Sequence, residues 1–271
     1  MMNVGLSEEE GVRYWDREAR SYDMKVEKHE ERYHKLVEYI INLTNPKKTD
    51  VVMEIGAGTG VASLLLAPKV KKVIAVDISK EMLRIAKEKA MKAGVHNIEF
   101  VRGTFHNPGI AGKVDIIITI DSLHCTTDGN YKKRAIEIMH NHLKDEGKIF
   151  LEDEMIVYNQ EILKERADRI VRYLVKLANR SNKEFRDLLF EERPNIHDLK
   201  KFFHESTSYY IEDMAKTEHL LKLEDLVGYF EESGFEVKET KRLSSMSGTI
   251  YAKKTKKLEK RSKADLGVRA P

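Results

Sequence analysis

This chain predicts an α/β fold, a doubly wound, mostly parallel seven-stranded sheet with a helical insertion between strands five and six. Three observations predict it. Short apolar runs alternate with helix-period segments from Val51 to Leu151, as expected for strands covered on both faces and joined by crossover helices. The first run, Val51-Val52-Met53-Glu54-Ile55, leads into Gly56, Gly58 and Gly60 at alternate positions. Glycine there lets the backbone bend sharply and approach a ligand with no Cβ in the way. The second run, Val73-Ile74-Ala75-Val76, ends in Asp77, an acid placed to accept hydrogen bonds from both hydroxyls of a ribose.

Each element has its own signal. Tyr14 to Asp23 opens the folded region, with Trp15, Ala19 and Tyr22 at helical spacing. A second helix carries Leu36, Val37, Ile40 and Ile41 on one face until Asn45-Pro46 stops it. Strand one is Val51–Ile55, and a short helix starts at Ala62 and ends near Pro68. Strand two is Val73–Val76. A helix over Lys80–Ala93 shows Met82, Ile85, Ala86 and Ala90 along one face and stops at Gly94. Strand three is Ile98–Val101, and strand four, Val114–Ile120, is apolar nearly throughout. A helix over Tyr131–Leu143 and a turn at Gly147 lead into strand five, Lys148–Leu151.

The alternation then pauses. From Met155 to about Lys222 the pattern reads as mostly helical, with Ile162, Leu163, Ala167, Ile170, Val171 and Leu174 on one face. That stretch is too long for a connecting loop. The helix Leu226–Glu232 and the strands Phe235–Glu239 and Thr249–Ala252 complete the sheet. The expected organisation is an N-terminal helical lid (1–45), a core domain (46–154 and 223–254), a helical insertion acting as a substrate lid (155–222) and a basic tail (255–271).

Composition narrows the classes. The 271 residues are 41% apolar, enough for one large domain or a domain with an insertion. No apolar stretch approaches the ~20 residues that span a bilayer, and Met1 to Arg13 carries no signal-peptide core. Cys125 is the single cysteine, so no internal disulfide forms. A soluble cytoplasmic protein is expected. Charged residues make up 34% of the chain and Gln160 is its one glutamine, a balance found in proteins of hot environments. The net charge of +3 is uneven: Lys253 to Pro271 holds eight Lys or Arg against Glu259 and Asp265. The rest of the chain is slightly acidic and does not read as a nucleic-acid surface.

The glycine run resembles the Glu-x-Gly-x-Gly-x-Gly signature of the class I S-adenosylmethionine-dependent methyltransferases, falling here on Glu54, Gly56, Gly58 and Gly60. Dinucleotide-binding proteins space their glycines as Gly-x-Gly-x-x-Gly, a spacing that Thr59 and Val61 break. The resemblance spans roughly Tyr14 to Glu152 and returns from Leu223 to Lys253. It implies a Rossmann-like methyltransferase fold, S-adenosylmethionine as cofactor and methyl transfer to a small molecule. It implies Gly56, Ala57, Gly58 and Gly60 against the methionine part and ribose, with Glu54 before them and Asp77 on the ribose. Ile78 and Met82 would lie against the adenine, joined by Gly103, Thr104 and Phe105 where the family often has an acid. Tyr22 and Arg20 would touch the cofactor from the N-terminal lid.

Asp121, after strand four, would face the methionine end and the substrate. Asp121 and His124 are the catalytic candidates. His124 suits a general base because its ordinary pKa lies near neutrality, although the family also uses a histidine in this stretch structurally. Glu152-Asp153-Glu154 reads as the start of the long helix, where acids favour the dipole; with Asp121 these acids also resemble an oxygen-ligand set for a divalent cation. No metal site is expected, since no His or Cys cluster has zinc spacing. Tyr158, Tyr173, Phe202, Phe203, Tyr209 and Tyr210 of the insertion are acceptor-pocket candidates. Asp121-Ser122-Leu123-His124 does not match the Asn/Asp-Pro-Pro-aromatic signature of enzymes that methylate bases, so a nucleic acid held by the basic tail is the less favoured partner; an RNA or protein methyltransferase using that tail and a non-catalytic S-adenosylmethionine-binding protein are the alternative readings. The sequence leaves the oligomeric state open.

Overall fold

A computed structural model describes residues 7–126, 129–157, 220–243 and 247–255. Its strands are β1 (Val51–Ile55), β2 (Lys72–Asp77), β3 (Ile98–Arg102), β4 (Val114–Ile120), β5 (Leu143–Glu154), β6 (Phe235–Arg242) and β7 (Ser247–Lys254). They form one seven-stranded sheet in the order β3-β2-β1-β4-β5-β7-β6. The first five are parallel, and β7 runs antiparallel between β5 and β6. The order reverses at β1 and β4, and a ligand crevice opens beyond the carboxyl ends at such a switch point.

The helices are α1 (Glu8–Lys28), α2 (Glu30–Thr44), α3 (Val61–Leu66), α4 (Lys80–Lys92), α5 (Gly129–His142) and α6 (Leu223–Glu232). Adjacent strand residues point to opposite faces, so each central strand supplies two cores. Met53, Ile117 and Ile149 pack with Ile136 and Met139 of α5 and Phe230 of α6. Val52, Ile116, Ile118 and Phe150 pack on the other face with Leu36, Val37 and Ile40 of α2 and Leu66 of α3. Each such buried aliphatic side chain stabilises the fold by about 1.5–3 kcal/mol relative to exposure.

Several boundaries move outward from the sequence expectation. α1 begins before Tyr14 because Ser7 and Glu10 form a capping box: Glu10 N–H donates to Ser7 Oγ at 3.4 Å and Ser7 N–H to Glu10 Oε2 at 3.0 Å. Glu8, Glu9 and Glu10 add favourable charge to its first turn. β5 is the larger revision. It starts at Leu143, which pairs with Val114, and a register shift lets the chain bulge through Gly147 before Lys148 pairs with Ile116.

β5 also runs on through Glu152-Asp153-Glu154, which therefore do not start a helix. Glu152 pairs with Ile120 on one side and Thr249 on the other, and ladder bonds on both sides outweigh the helix-start signal of the acids. Beyond it, Ile156 makes a β-bridge to Lys222: its N–H donates to Leu221 O at 2.9 Å and its own carbonyl accepts from Leu223 N–H at 2.9 Å. The two ends of the expected insertion thus lie side by side at the carboxyl end of β5. Its interior, with the six aromatic acceptor candidates, lies outside the described residues, as does most of the basic tail.

Candidate functional site

A cavity of about 330 Å³ lies at the carboxyl ends of β1, β2, β3 and β4. Its floor is the turn after β1. Gly56 has φ +77, and a Cβ there would stand 1.9 Å from Ser122 Oγ, so the β1 and β4 turns approach closely only because Gly56 has none. Gly58 has φ +52, and a Cβ would meet the Tyr22 ring at 3.4 Å, in the space between floor and lid. Both conformations favour glycine on steric grounds.

Asp77 ends β2 at the cavity wall. Its Oδ2 accepts from Gly58 N–H at 2.8 Å and its Oδ1 from Ser79 N–H at 2.9 Å. One carboxylate therefore ties the glycine turn to the start of α4, where Ser79 Oγ caps the helix by accepting from Met82 N–H at 3.1 Å. Burial raises the Asp77 carboxyl to about 6, against the lowering pull of those amides. Each carboxylate oxygen has a second lone pair, so the acid keeps acceptor capacity for a ribose.

Ile78, Met82, Gly103, Thr104 and Phe105 line the far wall, and Trp15 and Tyr22 of α1 cover it. Thr104 is partly committed to its own turn: its Oγ1 accepts from Asn107 N–H at 3.1 Å. α1 is seated by Asp16, whose Oδ1 accepts from Ser79 Oγ–H at 2.7 Å and from Glu81 N–H at 3.3 Å. Lys89 of α4 also pairs with Asp23. The lid and the ribose acid thus meet at the same helix N-terminus.

The structure brings Tyr22, Gly56, Gly58, Asp77, Ile78, Met82, Gly103, Thr104, Phe105 and Asp121 into this one cavity. Glu54, Ala57 and Gly60 stand apart, around a recess of about 20 Å³ that Tyr22 and Gly56 also border. Glu54 is fully buried and accepts from Ser63 Oγ–H of α3; burial lifts its carboxyl to about 7. Its position is that of a brace between β1 and α3. Ser7, Glu8, Trp15, Ser122, Cys125, Thr126 and Tyr131 also line the cavity. Among these, Trp15 and Cys125 were noted in the sequence without a cofactor role, and the others carry no motif that marks them.

His124 does not line the cavity. It is 2% exposed, in a single 3₁₀ turn after β4. Its Nδ1 pairs with Asp153 Oδ1, Asp153 Oδ2 accepts from its backbone N–H at 3.0 Å, and its Nε2 meets Cys125 Sγ at 3.3 Å. Burial works against a charged ring, but the Asp153 carboxylate prevails and holds His124 well above its ordinary value. Cys125, not His124, reaches the cavity wall.

Asp121 has a different partner. Arg32 of α2 donates to Asp121 Oδ2 at 2.9 Å and to Glu152 Oε1 at 2.8 Å. Sequence reading gave Arg32 no role, because its partners lie 89 and 120 residues away. Among the described residues no group of three or more His, Cys, Asp or Glu is placed to hold a metal ion. No helix among them is long and apolar enough to cross a membrane.

Known proteins share this fold. Residues 52–147 match the model of a methyltransferase domain. Over 202 residues the chain is 30% identical to an uncharacterised methyltransferase of Bacillus pumilus, covering 72% of this chain and 89% of that one. With relatives from Alkaliphilus oremlandii, Bacillus subtilis, Staphylococcus carnosus and Anoxybacillus flavithermus, the matched stretch spans only 40% to 63% of the relative's length. A solved S-adenosylmethionine-dependent methyltransferase from Clostridium acetobutylicum superposes with a TM-score of 0.57 at 15% identity, covering 88% of this chain and 99% of that one. The magnesium protoporphyrin IX methyltransferase of Synechocystis, solved with bound S-adenosylhomocysteine, gives 0.52 at 18% identity, covering 84% and 83%. The chain belongs to the S-adenosylmethionine-dependent methyltransferase family, and S-adenosylmethionine is its cofactor. The residues present fit that group: a glycine turn that brings bare backbone to the floor, an acid able to accept from a ribose and apolar side chains able to pack on an adenine.

Proposed function

We propose that this protein transfers a methyl group from S-adenosylmethionine to a small-molecule acceptor. The observation that carries the reading is the covered cavity itself, floored by Gly56 and Gly58, walled by Asp77 and roofed by Trp15 and Tyr22. A roof seated by Asp16 covers the cavity, which favours an acceptor small enough to pass beneath it.

Asp77 would hold the ribose, Ile78, Met82 and Phe105 the adenine, and Gly56 and Gly58 the backbone-facing side of the cofactor. Bound there, S-adenosylmethionine supplies a methyl group on a positively charged sulfur that is already a good leaving group. The chain's own work is then to orient and to exclude water. Trp15 and Tyr22 close the cavity, and orientation alone contributes on the order of 7–11 kcal/mol to such a reaction. Asp121 is the acid that reaches the cavity at the β4 end. We assign His124 to support of that loop, because both of its ring nitrogens are already engaged.

Calorimetric titration with S-adenosylmethionine and S-adenosylhomocysteine tests this. Wild-type protein is expected to bind both in the micromolar range. Asp77→Ala is expected to weaken both by roughly ten- to hundredfold, the loss of about 1.5–3 kcal/mol of charged hydrogen bonding. Binding of neither ligand by the wild type overturns the proposal; binding of both justifies a screen of small-molecule pools for methyl acceptance.

A further inference from the structure

Asp121 and Glu152 sit at the end of adjacent parallel strands, and their backbones are joined where Asp121 N–H donates to Glu152 O at 2.9 Å. Asp121 takes φ +46, a left-handed conformation that a residue other than glycine adopts at a cost. Asp121 also lines the cavity beneath α1. Glu152 is 0% exposed and borders a separate open recess on the far side of Arg32. Arg32 uses one nitrogen on each acid. Glu152 Oε2 is then left buried with no hydrogen-bond partner among the described residues.

One guanidinium does not neutralise two adjacent carboxylates, and a fully buried carboxylate oxygen without a donor is costly. A proton on Glu152 removes both penalties. It cancels one charge and supplies an O–H that can donate toward Asp121. Burial and then the Asp121 charge hold Glu152 above the ordinary carboxylate range, against the pull of Arg32. The other charged or titratable groups around the pair are committed or more distant. Asp153, next on β5, is paired with His124. Tyr22 of α1 and Tyr33 of α2 face each other at 3.5 Å, and burial keeps both hydroxyls neutral. Lys28, His29, Glu31, Lys35, Tyr39 and Lys241 border the outer recess.

We propose that Asp121 and Glu152 hold one proton between them and form the proton acceptor for the methyl acceptor, which is therefore a protic nucleophile bearing O–H or N–H. The inference rests on the methyl-transfer reading and names the acceptor class for the same site. The balance is simple. The acceptor's X–H bond breaks, its electron pair stays on X, and the proton goes to the Asp121 carboxylate. X gains the methyl carbon, and the sulfur keeps the pair of the broken S–C bond as a neutral thioether. Asp121 is the catalytic residue. Glu152 and Arg32 act through it as positioning residues.

The test needs no acceptor. Binding of S-adenosylmethionine and of S-adenosylhomocysteine is measured by calorimetry near pH 7.5 in buffers of different ionisation enthalpy. The sulfonium is cationic and the thioether neutral, so a proton-sharing pair facing the sulfur releases up to about one proton with the first ligand and none with the second. Glu152→Gln is expected to abolish that difference while both ligands still bind. Equal release for both ligands, or a difference that survives Glu152→Gln, overturns the pair. A ligand-free arm keeps the two failures separate. Carbon-detected titration of glutamate side chains should find Glu152 above the ordinary carboxylate range, and Asp121→Asn should move it down. Glu152 titrating in the ordinary range overturns the shared proton whatever the ligands do; failure of both ligands to bind, with Glu152 titrating high, counts against the methyl-transfer reading instead. Asp121→Asn also serves if Glu152→Gln does not fold.

Discussion

The two halves of the cavity are built by different means. At the ends of β1 and β2 the wall is built on backbone: Gly56 and Gly58 carry no Cβ, and Asp77 answers amides only 2 and 19 residues away. At the ends of β4 and β5 the wall is backed by side chains: behind Asp121, the residues Arg32, Glu152, His124 and Asp153 meet across separations of 29 to 120 residues. The contrast teaches that one side of the cavity rests on a short local turn, whereas the other rests on side-chain pairs between residues far apart along the chain. The first kind of site tolerates little change in shape. The second tolerates little change in charge.

The largest expected effect breaks the side-chain half. Asp153→Ala leaves the buried His124 ring without its counter-charge and should cost about 3–5 kcal/mol of stability in denaturant melts. A loss below about 1 kcal/mol would mean that the loop relaxes around the change.

Next comes an acid in the backbone half. Glu54 in the fold has its pKa raised to about 7 from 4.5, so the folded chain holds that proton more tightly than the unfolded one. Its contribution to stability is full below the unfolded pKa and is lost as pH rises through about 7. Glu54→Gln keeps an acceptor for Ser63 and should flatten the wild-type slope between pH 4.5 and 7.5 by on the order of 2 kcal/mol. Parallel stability curves for the two proteins across that range would contradict the assignment.

Gly56→Ala tests whether shape rules the floor. With φ +77 and a Cβ 1.9 Å from Ser122 Oγ, the expected loss is about 1–3 kcal/mol, with weakened cofactor binding. Adding Ser122→Gly removes the collision but not the strain, so thermal melts should show partial recovery. No recovery would place the whole cost in the backbone conformation.

The smallest effect sharpens the comparison at the lid. Asp16→Ala removes the acceptor for Ser79 Oγ–H and Glu81 N–H, worth about 1 kcal/mol net. α1 should then be cut faster by protease while the sheet core stays protected, and S-adenosylhomocysteine should slow the cutting in the wild type more than in the variant. Unchanged cleavage of α1 would mean that Trp15 and Tyr22 seat it without Asp16.

What was legible in the sequence follows the same division. The strand order up to β5, the glycine turn, Asp77, Ile78, Met82 and the Gly103-Thr104-Phe105 wall could be read because each signal is short-range: apolar period, glycine at a sharp turn, an acid at a strand end. β5 was read too short, because Glu152 and Asp153 are charged and a charged residue argues against a buried strand until its partner is known. His124 stood open between a base and a structural role for the same reason, since nothing near it in sequence announces Asp153, 29 positions on. Arg32 was silent, as a single basic residue on an amphipathic helix normally faces solvent.

By itself, then, the sequence determined the doubly wound sheet, the glycine turn after β1 and the resemblance to methyltransferases, because hydrophobic period and backbone sterics act between residues close along the chain. Only the tertiary structure decided which buried acids pair with which bases, that His124 stands behind the wall and Asp121 in front of it, and that Arg32 spans two strands. Those choices depend on desolvation and on distances across the sheet, and neither exists until β4, β5 and α2 have packed.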